Sequence, residues 1–138
     1  MFANAVLAEP SVHKEPVWTV DLVVRLIKVK ESRGNEHRLY PHPDGVSKGP
    51  WGLVEKYARR ALVDAKLRTN MIVYTASNED EQERDCRDFL QLQTNLWKHL
   101  ADAPTNMLQA AGFYHGGDAR ERKDYCLALR RIYESGNY

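Results

Sequence analysis

The sequence predicts a mostly α-helical fold. Its apolar residues recur at the 3.6-residue spacing of a helix face in segment after segment. Helix start and stop residues stand at the ends of those segments. A length of 138 residues corresponds to one domain, large enough to bury a core without a metal or a disulfide.

The elements follow in order. "MFANAVLAEPSVHKEP", residues 1–16, has no basic leader region and only a short apolar stretch, so it reads as a flexible N-terminal arm rather than a signal peptide, and the domain is expected over 17–138. "VWTVDLVVRLIKVK", residues 17–30, fits two templates. Trp18, Val20, Leu22, Val24 and Leu26 alternate as in a strand, whereas Val20, Val24, Ile27 and Glu31 share one helix face. Thr19 as N-cap and Asp21 in the first turn favour the helix. The β-branched residues weigh against it. Gly34 is a natural stop.

A second helix is expected from about Trp51 to Leu67, started by Pro50, with Tyr57, Ala58, Ala61, Leu62 and Ala65 on its apolar stripe. "TNMIVYTA", residues 69–76, is a short apolar link, either a strand or a buried connection. A third helix opens at Asn78, with Glu81 completing a capping box, and continues through Cys86, Phe89, Leu90 and Trp97 to Leu100. A fourth follows Pro104 and ends at Gly116-Gly117. The last runs from about Arg120 to Ser135 on a Tyr125, Cys126, Leu129, Ile132, Tyr133 stripe, and Gly136 stops it.

The composition narrows the function. A net charge of +1 argues against nucleic acid as the main partner, because phosphate-driven binding needs a clear basic excess. The sequence has no apolar run of about 18 residues, so no membrane span is expected. Cys86 and Cys126 fit two small buried hydrophobes or one interhelical disulfide. The five histidines are scattered, and His37 and His42 lack ligand spacing, so neither a metal nor a cofactor is expected.

The informative stretch is "KESRGNEHRLYPHPDGVSKGPWGL", residues 30–53. Loops this long are more often functional than decorative. Glu31 ends the apolar stripe of the first segment. A carboxylate there faces the negative end of the helix dipole and continues a buried face; both effects favour the protonated form that a general acid needs.

These residues resemble the soluble lytic transglycosylases of the lysozyme-like superfamily. Glu31, Ser32, Gly34 and Asn35 match that family's Glu-Ser-x-Gly-Asn block, and Gly52 and Leu53 match the start of its Gly-Leu-Met-Gln block. Val54 and Glu55 stand where the family has Met and Gln. "FYHGG", residues 113–117, is similar to the Ala-Tyr-Asn-Ala-Gly block, with His115 replacing the asparagine, and "DYCLALRRIYES" resembles the final helix. The blocks come in family order over roughly residues 20–135.

The resemblance implies a lysozyme-like single domain of about five helices with a polar active-site loop after the first main helix. It implies a peptidoglycan lytic transglycosylase that cuts the MurNAc-GlcNAc β-1,4 bond with Glu31 as catalytic residue and leaves a 1,6-anhydro product. Ser32, Gly52, Leu53, Glu55, Tyr114 and His115 are then the substrate-binding candidates. Ser32 would orient Glu31 or a sugar group, and Tyr114 would aim its hydroxyl at Glu31 or the sugar. Trp51 and Tyr40 are candidates for stacking on sugar faces, and Arg33, Arg38 and Lys48 place positive charge near acidic stem peptides. The implied partner is the peptidoglycan strand, and the implied setting is the bacterial cell wall on the periplasmic side, within a virion or a secretion apparatus. Two alternatives stay open: a muramidase that adds water and needs a second carboxylate, from Glu36, Asp44 or Glu55, and a non-catalytic glycan-binding or structural protein of the same fold.

Overall fold

In the first segment the helix prevails over the strand. The computed structural model describes residues 15–32, 47–69 and 79–138, and in it α1 spans Val20–Ser32. Val23, Val24, Leu26 and Ile27 are all buried. That is a helix stripe; a strand would send Val23 and Val24 to opposite faces. Thr19 caps the helix as expected, its Oγ1 accepting from the Leu22 N–H at 3.1 Å.

The second helix begins later than the sequence suggests. Residues 47–54 form a small antiparallel ribbon, β1 (Ser47–Lys48) and β2 (Leu53–Val54), with Ser47 opposite Val54 and Lys48 opposite Leu53. Gly49 and Gly52 both have positive φ, 76° and 61°, and the Gly52 N–H donates to the Gly49 carbonyl at 3.0 Å. Pro50 and Trp51 therefore form the tip of a turn, and α2 covers Glu55–Asp64 instead of starting at Trp51. Tyr57 leaves the expected apolar stripe and is 68% exposed, whereas Ala58 and Leu62 are buried.

The third helix, α3, spans Glu79–Leu96 and stops short of Leu100, because Trp97 to Leu100 turn away from the axis. The α4 helix, Met107–His115, is capped by Asn106, whose side chain accepts from the Gln109 N–H at 2.8 Å. The fifth, α5, spans Ala119–Ser135 behind a capping box of Asp118 and Glu121, and Gly136 closes it in the left-handed region at φ 77°. The fold is thus mostly α, with five helices and one short ribbon among the described residues. The expectations for Gly34, Asn78 and residues 70–76 lie outside those residues, as does the arm over 1–14. Glu15 is tied down, accepting from the Trp18 indole at 2.6 Å and pairing with Arg130.

The core gathers around α1, which contacts α3, α4 and α5, while α4 and α5 pack together as a hairpin. Trp18, Leu26, Ile27, Trp51, Leu53, Leu90, Leu108 and Leu129 fill it. Cys86 sits in this core and Cys126 is half-buried; both are free thiols, so the disulfide alternative does not hold. Among the described residues no helix is long and apolar enough to cross a membrane.

The α2 helix is short and packs on α3, and a buried ion network fastens it there. The Arg59 guanidinium donates to Asp85 at 2.5 Å and to Glu81 at 2.8 Å. Arg68 donates to Asp85 at 3.0 Å and to Asp88 at 2.7 Å. Asp85 is fully buried and Arg59 nearly so. Removing one partner of a buried ion pair strands the other charge. Asp85→Asn is therefore expected to lower unfolding stability by about 3–5 kcal/mol, measured by urea denaturation.

Candidate active site

Glu31 is the penultimate residue of α1, half-buried where the stripe of that helix runs out. Two other parts of the chain close on its carboxyl group. From α5, the phenol of Tyr125 donates to Glu31 Oε2 at 2.8 Å. From the ribbon, the backbone of Gly52 lies directly against it: a Cβ at that position would stand 2.5 Å from Oε1 and 2.9 Å from Cγ. Gly52 thus answers to two demands, a left-handed φ and a space with no room for a side chain.

The turn that carries Gly52 is pinned from both sides. Ser32 Oγ donates to the Pro50 carbonyl at 3.0 Å, and the Tyr114 hydroxyl donates to the Trp51 carbonyl at 2.7 Å. Trp51 is 2% exposed and anchors the turn in the core, with Lys28 over its ring at 5.1 Å. Trp51 is therefore a core residue rather than a sugar platform.

A cleft of about 400 Å³ opens beside Glu31. Its walls bring together Glu31, Gly52, Leu53, Tyr114 and His115, five of the seven residues singled out from the sequence. Ser32 is buried with its hydroxyl committed to Pro50, so it shapes the cleft through the turn and does not face it. Tyr114 directs its hydroxyl at Trp51 rather than at Glu31 and offers the cleft its ring. Glu55 opens α2 immediately after β2, and its side chain lies outside the described structure, as does that of Lys48. Arg33, Glu36, His37, Arg38, Tyr40, His42 and Asp44 also lie outside the described residues. Among the described residues, Glu31 is the only carboxylate lining the cleft, and no cluster of metal-ligating side chains occurs.

Two residues of the site escaped sequence reasoning. Tyr125 read as one more member of an apolar stripe, yet it is the hydrogen-bond partner of Glu31 and carries the His115 ring stacked on it at 4.3 Å. Tyr57 read as core and instead lines the mouth of the cleft. The signal for Tyr125 was its polar tip, since a buried phenol needs a partner and the final helix offers it none.

The surroundings keep the tyrosines neutral. Burial, followed by the negative charge of Glu31, raises the Tyr125 phenol well above the ordinary tyrosine range, so it remains a donor. Burial and the neighbouring Cys86 do the same to Tyr114, and burial pushes the Cys86 thiol up to about 12.

Compared with protein-family models, curated proteins and solved structures, the chain gives no significant match.

Two outcomes follow from this geometry. Gly52→Ala should destabilise the fold by about 1–2 kcal/mol from the left-handed backbone alone, and by more from the collision with Glu31. A double-mutant cycle separates the two: in a Glu31→Ala background the cost of Gly52→Ala should fall, because the colliding carboxylate is gone. The second outcome concerns alkali. Cys86 and Tyr125 keep their protons in the folded state and lose them earlier when unfolded. Their contribution is complete below about pH 8.5, the ordinary cysteine value, and is lost as pH rises toward the raised folded values. Melting temperature should hold up to about pH 8.5 and fall above it, each group adding up to about 1.4 kcal/mol per pH unit once its unfolded form has ionised.

Proposed function

We propose that the chain cleaves glycan strands of peptidoglycan at the MurNAc-GlcNAc β-1,4 bond, with Glu31 serving first as acid and then as base. The observation that carries this reading is the Glu31 carboxyl group, held by a buried phenol and by a glycine backbone, in the wall of an aromatic-lined cleft. The resemblance of its flanking residues to the lytic transglycosylase blocks supplies the substrate. The lysozyme-like arrangement of the helices belongs to the same proposal, as does action at the bacterial cell wall in a virion or secretion apparatus.

The chemistry needs one carboxyl group. Protonated Glu31 gives its proton to the glycosidic oxygen, and the bond from that oxygen to C1 breaks as positive charge grows on C1. The 6-hydroxyl of the same sugar attacks C1 and passes its proton to Glu31. A 1,6-anhydro ring forms, Glu31 regains its starting state, and no water is consumed. Because Tyr125 occupies Oε2, Oε1 is the oxygen left to carry the transferred proton. A hydrolase that inverts or retains by the usual routes places a second carboxylate across the bond. The candidates for that second carboxylate, Glu36, Asp44 and the side chain of Glu55, lie outside the described residues, and the intramolecular route is proposed from the resemblance of the blocks around Glu31.

Purified sacculi digested with the protein should release muropeptides one water lighter than hydrolysis products, read by mass spectrometry. Glu31→Gln keeps the shape and loses the proton, so cleavage should drop by at least about 10²–10⁴-fold with an unchanged circular dichroism spectrum. Products carrying the added water would instead assign a muramidase, and Glu55→Gln and Asp44→Asn would then locate its second carboxylate. Sacculus binding without any cleavage would assign a glycan-binding protein. Full activity in Glu31→Gln would falsify the reading.

A further inference from the structure

Among the described residues, one large and mostly exposed apolar side chain lines the Glu31 cleft: Tyr57, at 68%. Its neighbours on α2 explain its position. Ala58, Arg59 and Leu62 turn inward and are buried, which directs Tyr57 outward to the cleft mouth. Behind it the cleft walls carry Phe89 and Tyr114, half-buried against the core, and Phe113, half-buried and stacked on Trp97. Those rings are satisfied by the fold. The Tyr57 ring is not: most of its surface stays in water beside the carboxyl group that the chemistry uses.

A ring so placed has a narrow set of good partners. It offers a flat apolar face with a polar tip. The matching partner is also flat on one face and polar around its rim. A pyranose chair has this form, with C–H bonds presented on a face and hydroxyl and N-acetyl groups around the edge. An extended peptide fits less well, because it needs a sheet edge to pair with, and the ribbon strands here have two residues each.

We propose that Tyr57 is the platform on which one N-acetylhexosamine ring of the bound strand stacks, so that this residue restricts the substrate to pyranosides with an exposed apolar face. The inference rests on the glycan-cleaving reading above and adds to it a contact on α2, a helix that supplies none of Glu31, Tyr125 and Gly52.

The test uses the full chain carrying Glu31→Gln, titrated with the tetrasaccharide of β-1,4-linked N-acetylglucosamine by calorimetry or NMR. Adding Tyr57→Ala should weaken binding by about 10-fold or more, the usual cost of truncating an aromatic anchor. Adding Tyr57→Trp should keep it, because the flat face is retained. Melting temperatures of all three variants should agree, since the side chain is in solvent. Equal affinity with Tyr57→Ala overturns the platform and leaves the glycan reading standing. A loss with Tyr57→Trp as large as with Tyr57→Ala also overturns it, because the phenol hydroxyl would then be the contact. Absence of binding in every variant, or binding of a stem peptide in place of the sugar, overturns both.

Discussion

The site depends on one close approach, the backbone of Gly52 against the carboxyl group of Glu31. Everything nearby is arranged to hold these two together. The Ser32 hydroxyl ties the end of α1 to the turn, Tyr114 ties α4 to it, and buried Trp51 roots the turn in the core. Tyr125 then fixes the carboxyl group from the far side. The carboxyl group is therefore oriented by a hydrogen bond and by steric contact together, with its rotamers restricted before any ligand arrives. Pre-positioning of this kind is what lets a single acidic group be effective.

The hydroxyl groups around Glu31 divide into two layers. Ser32 and Tyr114 spend theirs on backbone carbonyls of the turn, so they control where Gly52 lies. Tyr125 spends its own directly on Glu31. In the raw sequence Ser32 and Tyr114 look like candidate ligands for a substrate, and Tyr125 looks like one more core residue. Only the geometry shows that two of them act on the frame and one on the functional group.

The sequence was legible where local chemistry decides structure. Thr19 and Gly136 sit at the helix ends they signal, and α1, α4 and α5 fall close to their expected ranges. It was misleading where two glycines with positive φ convert "GPWG" into a ribbon turn, because Pro50 reads equally well as a helix start. The candidate site was legible as a set of motifs: Glu31, Gly52, Leu53, Tyr114 and His115 do meet at one cleft. The particular contacts were not. Ser32 and Tyr114 differ from their expected roles because the nearest unsatisfied carbonyls belong to a turn that only the tertiary fold creates. Tyr125 was hidden because its ring is a true core residue and only its hydroxyl reaches the site.

The hydrogen bond between Tyr125 and Glu31 joins residues 94 positions apart. Bringing such distant segments together costs loop-closure entropy that only later contacts offset. A chain that ends before α5 lacks Tyr125, and its Glu31 carboxyl group has no phenol to set it. Completion of the site is therefore coupled to arrival of the last helix.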